Sequence, residues 1–448
     1  MMRSVHSRTP SVLISSSIAS KLPAAFRLQA GNRSLRVQAQ IEPDEGSSDS
    51  VHLLEVSPAV SRAIAIPAYS YRILRQDESS IRIGPVVAVL IASKPSETTT
   101  NATKSRRLYK QLILQGWKRG IFIYCFFPQD VFWGRGLIHG HTYTPNGKWI
   151  SGNFPIPDVV YNRILYRSTE NQRMVQKLLE GFDNHPGVYL FNRRFLNKWE
   201  VFKVLAQDPM ARYWLPETTL FSGTSLQSLI HRHKDLFLKP CHSSKGQGIL
   251  KVERVDGRGF RYGRTEWKGK NWIYVPNLRR LSMRLRQSVD YPRRYILQQG
   301  IDLARLNGRI FDLRAQAQKN RQGEWVLTGV GVRVAARNRF VTHVPNGGSR
   351  ANFYTVIKEV FPTSKTQHSI EQELHKICRI VPAVLEEGLQ IPLGVLSMDI
   401  GVDSSGKLWI LEVNSKPARF DEADIRHRHM ELLIDYFIFA AEHNSKGR

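Results

Sequence analysis

The sequence predicts an α+β protein of three successive units, and three stretches carry that expectation. Residues 396–417 read as two strands joined by the turn Asp403-Ser404-Ser405-Gly406, because turn formers separate two apolar runs. The continuous apolar runs 86–91 and 121–127 enclose a helical segment at 105–118, a strand–helix–strand order that suits a small α/β layer with strands buried on both faces. Residues from about 10 to 83 alternate short strands with turns and read as a small β-rich unit. The boundaries expected from these patterns are 1–83, 84–191 and 192–448.

The first unit carries a faint internal echo. Ile14-Ser-Ser-Ser-Ile18 resembles Val56-Ser-Pro-Ala-Val60, and the paired runs around Phe26 and Leu35 resemble those around Tyr71 and Ile81. A duplicated strand–helix–hairpin unit would produce this. The first acidic residue is Glu42, so the opening stretch mimics a transit peptide. Strand-like runs at 12–15 and 24–40, with a turn at Ala30-Gly-Asn-Arg33, argue against that reading. In the second unit a hairpin is expected across 132–155, a helix at 168–181 and a strand at 187–191.

The third unit holds the chemistry. Side chains two apart on a strand share a face, so Glu412 and Asn414 point the same way, and folding back across the turn brings Asp399 beside Leu411 and Glu412. Leu411 and Val413 are expected on the other face. Two carboxylates and an amide carbonyl on rigid strands form a hard-oxygen set suited to Mg2+ that also holds phosphates. A solvated acidic sheet face would read the same in isolation. Upstream, the strand 236–240 places Lys239 just before the loop Cys241-His-Ser-Ser-Lys-Gly-Gln-Gly248. Gly246 and Gly248 free the backbone to approach an anion, and Ser243 and Ser244 offer hydroxyl donors. The loop lacks the GxxxxGK[ST] spacing and is followed by a strand, so it is not a Walker A loop, and an ordinary hairpin is the simpler account of it alone. Asn197 sits where a helix N-cap belongs, with Lys198 in the first turn. Asp312 and Arg314 share a strand face, and Arg333 lies on the next strand-like run. A basic helix bearing Arg279, Arg280, Arg284 and Arg286 reads by default as a solvated face.

Composition bounds the function. The 448 residues are 42% hydrophobic and 23% charged, an ordinary globular balance. No apolar run is long enough to span a bilayer. Three cysteines with no CxxC pair indicate a reducing compartment, a cytoplasmic location and no zinc site. The formal charge of +27 suits a polyanionic partner, but the arginines are spread along the chain and no aromatic–basic motif for bases is visible, which disfavours nucleic acid.

With Lys198, Phe237-Leu-Lys-Pro240 and its glycine loop, Gln298-Gln-Gly-Ile301, Phe311-Asp-Leu-Arg314 and Glu412-Val-Asn-Ser-Lys-Pro417 in this order, the chain resembles the ATP-grasp superfamily. Within it the chain is similar to the YheC/YheD family of endospore coat-associated proteins. The resemblance implies an ATP-grasp fold, two α+β subdomains clasping ATP, preceded by a small α/β pre-ATP-grasp domain and the β-rich N-terminal domain. It implies that Lys198 and Lys239 bind ATP, that the loop with Ser243, Ser244, Gly246 and Gly248 closes over its phosphates, and that the hinge of Gln298, Gln299 and Ile301 reads adenine through backbone groups. Arg314 and Arg333 then lie near the transferred phosphate or an acidic substrate, and Asp399, Glu412 and Asn414 match the Mg2+ (or Mn2+) ligands. The implied activity is carboxylate–amine ligation through an acyl phosphate. The carboxylate and amine are unnamed, with acidic peptides or cell-wall material as candidate acceptors and spore coat proteins as candidate partners. A non-catalytic ATP-binding coat protein is the alternative. One departure bears on substrate: Thr342-His343 stands where relatives often carry Thr-Asn before the Gly-Gly turn.

Overall fold

The structure is a computed structural model. It describes residues 10–42, 53–92, 100–242, 247–264, 272–289, 291, 294–336 and 348–444, with side chains from 106 onward in the helix that begins at 100. Two compact units divide the chain: 1–194 with 319–323 and 427–448, and 195–318 with 324–426.

In the first unit six short strands close into a barrel around Phe26, Leu28, Tyr71 and Ile81, all essentially without solvent exposure. Closure removes every sheet edge, which a six-stranded sheet of this size would otherwise leave open. The echo in the sequence appears as a repeated element order. Strand Ser11–Ser15, helix Ser16–Ala19 and a hairpin are followed by strand Leu53–Val56, helix Pro58–Ile64 and a second hairpin. The pairing is not repeated: Ser11–Ser15 runs parallel to its hairpin's second strand, whereas Leu53–Val56 runs antiparallel to its hairpin's first strand.

A seven-stranded mixed sheet follows, with Val86–Leu90 parallel to Phe122–Phe126 on one side and to Val159–Asn162 on the other. All three strands are buried along their whole length; the first two are unbroken apolar runs, and in the third the buried Asn162 donates to Glu170 at 3.1 Å and to the Arg193 carbonyl at 2.7 Å. The antiparallel pair Leu137–Tyr143 and Trp149–Pro155 is the expected hairpin. The helix expected at 168–181 is broken in two, Arg167–Glu170 and Arg173–Asp183. A long helix, Ala423–Asn444, had no counterpart in the sequence reading. Its stretch 433–441 buries Leu433, Ile434, Tyr436, Phe437, Ile438, Ala440 and Ala441, and a helix apolar on nearly every side shows no 3.6-residue contrast to detect. Within the first unit the Tyr436 hydroxyl lies 2.8 Å from that of Tyr189, and Arg321 donates to Glu442 at 2.6 Å.

The second unit holds two antiparallel sheets. The smaller runs, from edge to edge, Thr218–Leu220, Tyr295–Gln299, Asp235–Pro240, Leu250–Val255, Gly259–Arg264 and Ile273–Val275. Helices Gly223–Arg232 and Leu278–Gln287 cover one of its faces through a core of Leu226, Leu229, Leu281 and Leu285 against Leu236, Leu238, Val252 and Leu297. The larger sheet orders Ser349–Ala351, Trp325–Val334, Arg309–Lys319, Val395–Val402 and Leu408–Asn414, with Arg305–Leu306 paired to Arg309–Lys319. Its core face (Leu313, Ala315, Met398, Ile400, Val413) packs with residues of helices Lys198–Gln207, Phe353–Val360 and Ser364–Leu389.

Candidate functional site

The site is built on the polar face of the larger sheet. Register places Asp399 opposite Glu412 on one side and opposite Arg314 on the other, and Ser397 opposite Asn414. The strict alternation expected in the second strand does not hold. Ile400 pairs Ile410 while Asp399 pairs Glu412, so Leu411 is an extra, bulged residue. Val413, Ile410 and Leu408 therefore share the core, and Leu411 is only partly buried. The bulge corrects the sequence expectation for Leu411 and leaves Glu412 across from Asp399, the local re-aiming that bulges provide beside functional side chains.

Cations bracket this carboxylate pair. Lys198 Nζ lies 3.2 Å from Glu412 Oε1, and Arg333 Nη1 lies 3.4 Å from Asp399 Oδ1. The second contact is an ion pair without hydrogen-bond geometry: both atoms are buried and neither has a hydrogen-bond partner. A buried carboxylate oxygen without a donor is costly unless something else satisfies it. The unpartnered Asp399 Oδ1, with the Glu412 carboxylate opposite it in register, is chemically suited to a divalent cation. Among the described residues no group of three or more His, Cys, Asp or Glu side chains converges. Two carboxylates and an amide are hard-oxygen donors, the class that divalent cations such as Mg2+ take alongside waters and phosphate oxygens.

Arg314 is held from behind: its Nη2 donates to the Ala418 carbonyl at 2.9 Å and its guanidinium lies 4.7 Å from the Phe420 ring centre. Burial, aided by the neighbouring charge of Arg333, lowers its pKa to about 10, with Asp399, Asp312 and Glu422 opposing. Lys416, two residues beyond Asn414, is also buried, with Nζ 4.8 Å from the Phe195 ring centre. Sequence reasoning gave Lys416 no role, since a lysine after a strand normally faces solvent.

On the smaller sheet Lys239 and Gln298 lie on the face away from the covering helices, and Lys239 Nζ donates to Gln298 Oε1 at 2.5 Å. Gln298 Nε2 in turn donates to Thr218 Oγ1 at 3.1 Å, which fixes the amide's orientation. Phe237 stands opposite Gln298 and the buried Ile296 opposite Lys239, so the same face offers an apolar floor beside the lysine. Sequence reasoning missed that floor, although the alternation Ile296–Gln298 against Leu297 signals it. Burial lowers the Lys239 pKa to about 8; Lys198 adds to the shift, and Glu412 and Asp399 oppose it. Glu412 and Asp399 stand on the other sheet and Lys198 on the helix that packs with it, so Lys198, Lys239, Asp399 and Glu412 form one electrostatic cluster.

Gln299 faces elsewhere. Its backbone N–H donates to Glu217 O at 2.8 Å and its side-chain oxygen accepts from Glu217 N at 3.1 Å. Gly300 N–H donates to Asp235 O at 2.7 Å, and any Cβ there would meet the Asp235 backbone, so the chain passes this point tightly before Ile301.

The start of the helix Lys198–Gln207 is tied to the glycine loop. Asn197 Oδ1 accepts from Trp199 N at 2.8 Å and Glu200 N at 3.3 Å, Lys198 N–H donates to Cys241 O at 3.1 Å, and Asn197 Nδ2 lies 2.9 Å from His242 Nε2. Gly248 adopts φ +71°, the left-handed region glycine favours. Ser243, Ser244 and Gly246, like Thr342-His343, lie outside the described residues. Truncating the cap in Asn197→Ala is expected to destabilise the protein by about 1 kcal/mol, read as a lower urea midpoint at unchanged slope.

A family model described as YheC/D-like ATP-grasp matches residues 187–440, more than half of the chain. The endospore coat-associated protein YheD of Bacillus subtilis is 28% identical over 355 residues, 78% of this chain and 77% of that protein. The endospore coat-associated protein YheC of the same organism is 24% identical over 302 residues, 67% of this chain and 82% of that one. Among solved structures, the D-alanine-D-alanine ligase from Coxiella burnetii aligns with a TM-score of 0.44 at 13% identity, covering 81% of this chain and 96% of that one. With its two sheets, its carboxylate pair and the extent of the match, the chain belongs to the YheC/D-like ATP-grasp family.

Proposed function

We propose that the protein binds Mg-ATP and uses it to join a carboxylate to an amine. The observation that carries this reading is the cluster itself: a register-paired Asp399 and Glu412, bracketed by Lys198 and Arg333, electrostatically coupled to Lys239 on the second sheet. On this reading the adenine lies on Ile296 and Phe237, with Ile301 and the backbone around it reading its edge. Lys239 and Lys198 neutralise the phosphates, and the loop containing Ser243, Ser244, Gly246 and Gly248 donates to them. Asp399, Glu412 and Asn414 would hold the cation, which would supply charge neutralisation to the phosphate oxygens. Arg314 and Arg333 stabilise the negative charge that develops as a substrate carboxylate oxygen bonds to the γ-phosphorus and ADP leaves. The amine then attacks the acyl carbon, phosphate departs and the amine nitrogen loses a proton. Positioning and charge stabilisation suffice for both steps, so no protein nucleophile is required.

A second reading keeps the nucleotide site without catalysis. The two Bacillus subtilis relatives carry coat-associated names, and a coat protein of this family could bind ATP for structure alone. Calorimetry with Mg-ATP, followed by ADP release assays with pooled amino acids and acidic peptides, separates the readings. The ligase reading expects magnesium-dependent binding and ADP release that rises with one acceptor. Binding with no turnover across the pool supports the scaffold reading, and no binding removes both.

A further inference from the structure

The small sheet of the second unit carries, on the side away from Lys239, a feature the nucleotide site does not use. Helix Leu278–Gln287 buries Leu281 and Leu285 and exposes Arg279, Arg280, Arg284 and Arg286 around the exposed Met283. No acidic residue stands on this helix, and none of the four arginines pairs with an acidic side chain among the described residues. Two nearby acids, Glu253 and Asp235, are committed on the reverse face. Lys251 Nζ lies 2.6 Å from Glu253 and 2.9 Å from Asp235, and Arg261 also pairs with Glu253. Over 251–294 the sequence holds thirteen Lys and Arg against four Asp and Glu, a local excess within the general one.

Helix physics disfavours part of this arrangement in isolation, although Arg284 and Arg286 in the last turn stand where the dipole favours them. Arg279 and Arg280 sit in the first turn, where the helix dipole disfavours positive charge. Arg280 and Arg284 are four apart, a spacing at which like charges repel. An anionic partner lying along the helix removes both penalties. The face also lacks what bases need. The neighbouring aromatic rings, Trp272 and Tyr274, engage Arg261 on the opposite side of the sheet, at 4.5 Å to the Trp272 ring centre and 3.5 Å to the Tyr274 hydroxyl. The exposed apolar neighbours are Met283 and Ile273, and the exposed Tyr291 just past the helix is already engaged by the Arg294 guanidinium, 4.9 Å from its ring centre. Carboxylates interspersed with apolar side chains complement that surface; stacked bases do not.

We propose that the outer face of helix Leu278–Gln287 is a docking surface for an acidic polypeptide segment. It lies apart from the nucleotide face, so the proposal is independent of whether the chain ligates anything. The test is fluorescence anisotropy of labelled poly-glutamate with the full chain, comparing wild type with the fourfold variant Arg279→Gln, Arg280→Gln, Arg284→Gln, Arg286→Gln. A control variant neutralises four other exposed arginines, Arg27, Arg36, Arg173 and Arg212. Wild type is expected to bind with an affinity that falls as salt rises from about 50 to about 200 mM, and the helix variant to lose about tenfold while the control loses little. The helix variant should melt at or above the wild-type temperature; if it fails to fold, the double variant Arg280→Gln/Arg284→Gln serves, with a smaller loss. No wild-type binding, or an equal loss in the control, overturns the proposal. Tighter binding of poly-uridylate or of phosphatidylglycerol vesicles, lost in the helix variant, overturns the assignment of the partner to polypeptides.

Discussion

Replacing Glu412 with alanine is expected to abolish magnesium-dependent nucleotide binding, with an affinity loss of about 100-fold or more. Glu412 and Asp399 are the two carboxylates of the cluster, opposite each other across the bulged hairpin, and a cation left with Asp399 and one amide loses half of its anionic protein ligands. The change also strips Lys198 of its 3.2 Å partner inside a largely buried site. Leaving that ammonium uncompensated destabilises the protein by about 3 kcal/mol, so the alanine variant alone would confuse loss of a ligand with loss of fold. Glu412→Gln keeps the volume and an oxygen acceptor for Lys198, and is expected to fold close to normally while losing the magnesium dependence. Titrating the glutamine variant with ATP, with and without magnesium, is therefore the decisive comparison. If magnesium still strengthens its binding as in wild type, the carboxylate pair is not the ion site.

The parts of this site that could be read from sequence are those that obey one local rule. The hairpin was legible because a turn separates two apolar runs, and Asn197 was legible as a cap because its side chain satisfies orphan N–H groups one turn on. What escaped needs information from distant strands. Leu411 looks like any apolar strand residue, and only the pairing of Ile400 with Ile410 reveals that it is bulged out of register. Lys239 and Gln298 were each singled out, but their 2.5 Å contact depends on strand Tyr295–Gln299 inserting beside Asp235–Pro240, a pairing that no spacing in the sequence encodes. The apolar floor of Ile296 and Phe237 depends on the same pairing. Helix Ala423–Asn444 escaped for a different reason: burial on most sides erases the periodicity that announces an amphipathic helix.

Lys239 supplies the second large effect, and its sign follows from proton balance. Its pKa in the folded protein is lowered from 10.5 to about 8, chiefly by burial. Between those values the unfolded chain binds more protons than the folded one, so this group makes the ligand-free protein more stable as pH rises across that window. Phosphate oxygens beside Nζ act the other way, because an anion restores the charged form. Nucleotide binding is therefore expected to take up a proton at pH values above about 8, and affinity to decline as the solution becomes more alkaline. Calorimetry in two buffers of different ionisation enthalpy reads the uptake directly. Lys239→Met should eliminate it and weaken binding at neutral pH by about 10- to 100-fold, the loss of one charged hydrogen bond to phosphate. The variant should not lose the ligand-free protein's fold, since methionine removes a buried charge and packs on Phe237, although Gln298 forfeits its donor. Proton uptake that persists in Lys239→Met would move the titrating group elsewhere in the cluster. The absence of uptake in wild type would mean that the lysine does not touch the phosphates at all.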